Sequence, residues 1–319
     1  MNINNPRIWT ITDGSQGMIS QTKGLALALS SDLTEIKTKI IFPWNKLQPG
    51  ILPIYGWIFR NKIPKKNLPD ILISCGRKSI YLSIYLKKKY PNIINIHIQN
   101  PKISSKYFSL IVAPNHDNLK GQNIINSIGA LHHFKIESSS KLEFDINSKN
   151  LVSCIIGGEN NHYFFTIKEA QDLCKKIEDL KNNNSELKFL VITSRRTNEE
   201  IKHLIKNKLG LFAEVWLGEG KNPYEFAIYN SSYLIITSDS TSMISEASVS
   251  GIPIYIYQLP NKRKSIRFDR FHEEFKKLNI TRDLPLSNVL EGWTYTKLNE
   301  TKRIAGIIKE RIIEGINES

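Results

Sequence analysis

Acidic residues are scarce against basic ones: 30 Asp and Glu face 44 Lys and Arg, a formal net charge of +14. An imbalance of that size draws anionic partners, which means nucleic acid, an anionic membrane surface or a phosphorylated substrate. No nucleic-acid-binding motif accompanies the charge, so nucleic acid is set aside and the other two remain. Part of the excess is a coding bias, since Lys, Ile and Asn are over-used throughout. Cysteine is equally sparse. Cys75, Cys154 and Cys174 form no C-x-x-C pair and have no accompanying His spacing, which excludes a disulfide framework and a zinc site and points to a reducing compartment. No apolar run reaches the roughly 18 residues of a spanning helix. The start, MNINNPRIWTITDG, lacks the basic segment, apolar core and small-residue cleavage site of a secretory signal. No G-x-G-x-x-G follows the first apolar run, against a nicotinamide cofactor, and no Asp-x-Asp marks a metal site.

What is present is an alternation of short β-branched runs with helical patterns. The runs fall at 7–12, 37–42, 70–74, 93–99 and 110–113 in the first half, and at 151–156, 188–193, 213–217, 233–237 and 252–257 in the second. Strands spaced by helices predict parallel sheets, and 319 residues predict about two domains. The fold class is therefore α/β, with two Rossmann-like domains facing a cleft. Residues 137–150, rich in Ser, Lys and Asn and without periodicity, are the candidate linker, which places the domains at 1–145 and 150–319. A helical segment near 297–316 has a pattern compatible with packing on either domain.

Several polar loops follow these runs, the place where open α/β sheets bind ligands. Residues 12–17, TDGSQG, offer Asp13 as a base or as a holder of an acceptor hydroxyl; the same residues also make an ordinary Asp-Gly turn. Residues 74–78, SCGRK, bring Arg77, either as a fork for phosphate or carboxylate or as a solvated helix-start residue. His97, His116 and Asp117 end two neighbouring runs and could form a general base with its orienting carboxylate, an incomplete metal set, or structural residues.

In the second half, Gly157-Gly158-Glu159-Asn160, Ser194-Arg195-Arg196-Thr197 and the segment from Gly218 through Gly220 and Asn222 to Tyr224 would surround a diphosphate with N–H donors and guanidinium charge. The alternative is that Arg195 and Arg196 are surface charge. The fourth loop, SDSTSMISEASVSGIP at 238–253, reads as strand end, Ser-rich loop, short helix and strand. A helix starting near Ser240, Thr241 and Ser242 directs its dipole into that loop to meet a diphosphate, with Glu246 farther along to hold ribose hydroxyls. The plainer alternative is a capped crossover helix with Glu246 facing water.

The strings TDGSQGM, SCGRKS, HIQNP, APNHD, SRRT, GEGKNPY and SDSTSMISEASVSGIP, in this order, resemble the Elm-type family of mitochondrial fission proteins and their bacterial relatives, described as glycosyltransferases. The resemblance runs from about Ile8 to Tyr257. It implies a GT-B-like pair of Rossmann domains with nucleotide-sugar binding in the C-terminal one. It also implies that Glu246 holds the ribose. Asp13, His116 and Asp117 as the catalytic set are not part of it and rest on the residues alone. Plant members act on the mitochondrial surface by recruiting a dynamin-related protein, whereas the Lys, Ile and Asn bias here is more like an AT-rich bacterium.

Residues 42–66, FPWNKLQPGILPIYGWIFRNKIPKK, combine Trp44, Ile51, Leu52, Tyr55, Trp57, Ile58 and Phe59 with Arg60, Lys62, Lys65 and Lys66. That composition suits a membrane headgroup boundary, or else a domain core or dimer contact. The leading expectation is a metal-independent glycosyltransferase. It would move a sugar from a nucleotide-sugar donor, a co-substrate and not a bound cofactor, to a surface glycan or lipid-linked acceptor resembling lipopolysaccharide core. Such a protein is cytoplasmic, with peripheral contact on the inner face of a bacterial inner membrane. The rival is a non-catalytic recruitment factor with a dynamin-like partner. A nucleotide-sugar epimerase ranks third, on the ground that a two-half architecture differs from a single-domain epimerase.

Overall fold

The computed structural model describes residues 5–60, 63–64, 66–134 and 148–317. It divides into two units, Met1–Phe134 with Asn299–Ser319, and Lys135–Leu298. Each unit is built on one six-stranded sheet.

In the first unit the strands are β1 (Ile8–Thr12), β2 (Leu33–Lys37), β3 (Ile71–Cys75), β4 (Ile94–Ile98), β5 (Leu110–Pro114) and β6 (Ile124–Ser127). Helices α1 (Gln16–Leu29) and α2 (Arg77–Lys89) follow β1 and β3. The order is β2-β1-β3-β4-β5-β6, all parallel. Every residue of β1, β3 and β5 is buried, as expected where both faces of a parallel sheet are covered. The chain reverses its direction of growth between β1 and β3, the position at which such sheets open a crevice.

The second unit contains β7 (Leu151–Ile156), α3 (Ile167–Asn183), β8 (Lys188–Thr193), α4 (Glu199–Leu209), β9 (Ala213–Trp216), α5 (Tyr224–Asn230), β10 (Tyr233–Thr237), α6 (Thr241–Ala247), β11 (Ile254–Tyr257), α7 (Ile266–Lys277) and β12 (Thr281–Asp283). Its order, β12-β11-β10-β7-β8-β9, is the doubly wound dinucleotide-fold order, with the reversal between β7 and β10. Helix α3 shows how local sequence sets an element. Thr166 and Glu169 form a reciprocal capping box, and Ala170, Leu173, Cys174, Ile177 and Leu180 recur at helical spacing to bury one face.

Three details differ from the sequence expectation. The second run, expected at 37–42, ends at Lys37 instead: β2 lies in register with β1 from Ile8↔Leu33 to Thr12↔Lys37, and Thr38 N–H closes the pairing on the Thr12 carbonyl. Ile40 forms an antiparallel bridge with Phe59. The edge strands β6 and β12 lie outside the expected runs, because their sequences, IINS and TRD, are half or wholly polar and give no apolar run. The C-terminal helix α8 (Glu300–Asn317), placed by sequence within 150–319, packs in the first unit. Ile304, Ala305 and Ile308 join Leu25 and Leu29 in that unit's core, and Thr301 Oγ1 both donates to the His132 carbonyl and accepts from its N–H. Most of the candidate linker lies outside the described residues. Cys75, Cys154 and Cys174 are buried thiols, and no described helix is long and apolar enough to cross a membrane.

Candidate functional site

At the reversal of the second sheet, three strand ends are laced by one carboxylate. Asp239, two residues beyond β10, has a fully buried side chain. Its Oδ1 accepts from Thr237 Oγ1 at 2.6 Å, and its Oδ2 accepts from the Gly158 N–H at 3.1 Å and pairs with Arg196 Nη2 at 2.6 Å. Arg196 Nη1 also donates to the Gly158 carbonyl. Ser194 Oγ and Thr197 Oγ1 both donate to the Gly157 carbonyl, while the Gly157 N–H donates to Thr237 Oγ1 at 2.8 Å. The two glycines are required by closeness. A Cβ on Gly157 would strike the Asp239 carboxylate, and one on Gly158 the Arg196 carbonyl. Asn160 Nδ2 ties the same loop to the Asp239 carbonyl.

This geometry corrects one part of the sequence reading. The N–H groups of Gly157 and Gly158 are used inside the protein, on Thr237 and Asp239, and do not line a diphosphate cradle. Arg196 is a brace as well as a cation: two of its five N–H donors are committed to Asp239 and Gly158. Arg195 beside it is exposed. Asp239 itself escaped sequence reasoning. The available signal was a carboxylate immediately beyond an apolar run, in Ser-Asp-Ser.

Helix α6 starts as expected, with Ser240 as its N-cap, the hydroxyl accepting from Met243 N–H. Thr241 and Ser242 occupy its first turn, where backbone N–H groups face outward along the dipole. Glu246 lies on the same helix and is 8% exposed, so the reading in which it faces water fails. Its Oε2 accepts from Tyr224 Oη at 2.6 Å. Burial, then the Glu246 charge, push the Tyr224 hydroxyl well above its ordinary pKa, so this phenol stays protonated and donates. Asn222 Oδ1 accepts from the N–H of Tyr224, the first residue of α5, and Gly220 lies in the exposed turn before it. The structure thus groups Gly157, Gly158, Ser194 and Arg196 around Asp239, and Tyr224 with Glu246 at the far end of α6.

The opposite side of the Ser238-Asp239 loop is held by His272, whose Nε2 donates to the Ser238 carbonyl at 3.0 Å, and by Ser238 Oγ accepting from the Leu259 N–H. Burial lowers the His272 pKa. His272 and Tyr163 line a cavity of about 270 Å³ with Asp269 and Lys276.

The first unit's candidates do not converge. Asp13 follows β1 and His116 and Asp117 follow β5, with β3 and β4 between those strands, a separation of roughly 14 Å at ~4.8 Å per strand. Asp13 accepts from Ser15 N–H and Oγ; burial opposes its ionisation, but these bonds and Lys78 prevail and hold it below the usual carboxylate range. His116 is buried, its Nε2 3.9 Å from Asp117 Oδ1, and Asp117 accepts from the Asn100 N–H. His97 is a core residue: Ser74 Oγ lies 2.9 Å from its Nδ1, and burial brings its pKa down to about 3. Arg77 turns onto its own chain, donating to the carbonyls of Asn45 and Leu47. Among the described residues no group of three or more His, Cys, Asp or Glu could hold a metal ion.

Two parallel-sheet units of this kind place the chain among GT-B-fold proteins, and the sequence relationship is closer than fold. The mitochondrial fission ELM1 family model matches residues 16–312. The chain belongs to that family. Protein RP120 of Rickettsia prowazekii is 30% identical, covering 95% of this chain and 97% of that protein. The mitochondrial fission protein ELM1 of Arabidopsis thaliana is 25% identical, covering 78% of this chain and 65% of the plant protein. Among solved structures, UDP-GlcNAc 2-epimerase of Methanocaldococcus jannaschii, in complex with UDP-GlcNAc and UDP, is similar over 95% of this chain and 99% of its own (TM-score 0.55, 13% identity). The glycotransferase of kitacinnamycin is similar over 90% and 88% (TM-score 0.52, 10% identity). These likenesses concern the fold. They remove one argument made from sequence, because an epimerase with this two-unit fold exists and the architecture does not speak against that activity.

Proposed function

We propose that this ELM1-family protein binds a nucleotide sugar in its second unit and transfers the sugar to a glycan or lipid-linked acceptor of the cell surface, resembling lipopolysaccharide core. The observation that carries the reading is the position of Glu246, a buried carboxylate on the helix that leaves the β7/β10 reversal, where doubly wound sheets bind nucleotides. It lies six residues beyond the Ser240 cap, ~9 Å along the helix at 1.5 Å per residue. A diphosphate at the first turn of α6, met also by Arg195 and the outer face of Arg196, would leave the ribose near Glu246. Its Tyr224 partner would keep the carboxylate oriented toward the ribose hydroxyls. Charge on the departing nucleoside diphosphate would be stabilised by these same groups. Asp13, ionised at neutral pH, is assigned to orienting the acceptor hydroxyl, and His116 and Asp117 to packing beneath the end of β5. A cytoplasmic protein at the inner face of a membrane fits this chemistry.

Calorimetry with a panel of nucleoside diphosphates tests it. At least one should bind, and Glu246→Gln should weaken it roughly tenfold, about 1.4 kcal/mol, through loss of a charge-assisted bond. Absence of binding to any of them overturns the reading. Product analysis separates transfer to an acceptor from epimerisation of the donor. The match to the plant fission protein favours a second reading, recruitment of a dynamin-like partner without turnover. Under it Asp13→Ala and Arg195→Ala leave function intact and the partner is captured from lysate.

A further inference from the structure

The segment that sequence left divided between core and membrane surface is divided in the structure as well, residue by residue. Trp44, Ile58 and Phe59 are buried with Trp9, Leu72 and Tyr81. Phe42, Ile51 and Trp57 are 74%, 61% and 63% exposed, and Tyr55 is exposed beside them. Four of the thirteen large exposed hydrophobic residues among those described therefore fall within sixteen positions of chain. Side chains scattered singly need no explanation, but a cluster does.

The cluster is held outward. Tyr55 stacks on Trp57 with centroids 5.7 Å apart, and Trp57 meets the buried Trp44 edge-on at 5.1 Å. Trp44 Nε1 donates to the Pro53 carbonyl at 2.9 Å, and Tyr81 Oη and Arg77 both donate to the Leu47 carbonyl. Arg77 Nη2 reaches the Asn45 carbonyl, and Gln48 Nε2 the Pro101 carbonyl. A loop this well anchored at its base presents Trp57 and Phe42 to solvent as a fixed platform. No Asp or Glu occurs between Glu35 and Asp70, while Lys39, Lys46, Arg60 and Lys66 are exposed. Arg60 N–H bonds the Lys39 carbonyl, which sets those two cations side by side at the root of the loop. Lys62 and Lys65 lie outside the described residues.

We infer that residues 42–60 are a docking surface for an anionic phospholipid bilayer, with Trp57, Tyr55, Phe42 and Ile51 entering the headgroup boundary and the cations meeting lipid phosphate. A second copy of the chain would bring Lys46, Arg60 and Lys66 up against the same cations of its own, which disfavours it as the occupant. The inference deepens the proposed function by stating where a lipid-linked acceptor is met, and it can fail separately. Nucleotide binding is a property of the second unit, and vesicle binding is assigned here to the first.

The test is co-sedimentation of the full-length protein with phosphatidylglycerol/phosphatidylcholine vesicles and with phosphatidylcholine alone. Binding to the anionic vesicles is expected, weakening with salt. Phe42→Ala with Trp57→Ala should reduce it at least tenfold, without changing the melting temperature or nucleotide binding. Lys46→Gln with Arg60→Gln should reduce it roughly 25-fold, about fivefold per cation, on anionic vesicles only. No binding to anionic vesicles overturns the inference, as does binding unaffected by the aromatic pair. Concentration-dependent dimerisation that the aromatic pair abolishes overturns it in favour of a second copy.

Discussion

The two sheets reverse direction at comparable places, and the residues at those places use their hydrogen bonds in opposite ways. In the second unit the reversal is laced across three strands: Asp239 joins β10 to the loops after β7 and β8, and Ser194 and Thr197 tie β8 back to Gly157. At the first unit's reversal the loops after β1 and β3 bond within themselves or to other segments. Asp13 bonds Ser15 two positions away, and Arg77 bonds the carbonyls of the aromatic loop. A frame held across strands fixes the positions of α6 and Arg196 before a ligand arrives, which limits the ordering cost of binding. The proposed donor site lies in the unit whose loops are laced across strands.

Breaking the frame should have the largest effect. Asp239→Ala leaves the Arg196 guanidinium, the Gly158 N–H and Thr237 Oγ1 without their buried partner. A loss of about 3 kcal/mol in the stability of the second unit is expected, together with loss of nucleotide binding. Chemical denaturation of wild type and variant measures it, and a loss confined to binding would mean that the lacing is not structural.

Acid should expose the first unit. His97 is neutral when folded, with its pKa brought down to about 3, and takes up a proton near its ordinary 6.5 once unfolded. Its contribution is therefore complete above pH 6.5 and falls by about 1.4 kcal/mol per pH unit below that, down to the folded value. His272 in the second unit acts with the same sign. His97→Asn, itself less stable at pH 7.5, isolates the first unit's part by removing its slope between pH 6.5 and 5. An unchanged slope would show that His97 is protonated in the folded state.

The tenfold weakening expected for Glu246→Gln comes next. Asp13 should matter least to stability. Its depressed pKa adds stability above the ordinary 3.8 that is lost as pH falls through the lower folded value. Solvent screening keeps that contribution below about 0.5 kcal/mol. Asp13→Asn should leave the denaturation midpoint at pH 7 nearly unchanged while slowing transfer. A large loss of stability would move Asp13 from the site to the scaffold.

Hydrophobic pattern determined the alternation of strands and helices and the parallel sheets, because buried parallel strands are apolar along most of their length and helices on one face, while chain length set the expectation of two domains. It also located Ser240 as a helix cap and the loops that gather at the β7/β10 reversal, since caps and strand-end turns are set by neighbouring residues. Only tertiary structure decided which polar groups face one another. Gly157 and Gly158 read as phosphate-facing donors, but the folded chain spends their N–H groups on Thr237 and Asp239, and of the two readings of Glu246 the water-facing one falls to its burial against Tyr224. The home of α8 was likewise undecidable from its amphipathic stripe, which any apolar groove would satisfy. Thr301 and its contacts across about 170 residues of chain settled it. Partners that distant in sequence leave no local pattern, so pairing and burial emerge only when the chain has closed on itself.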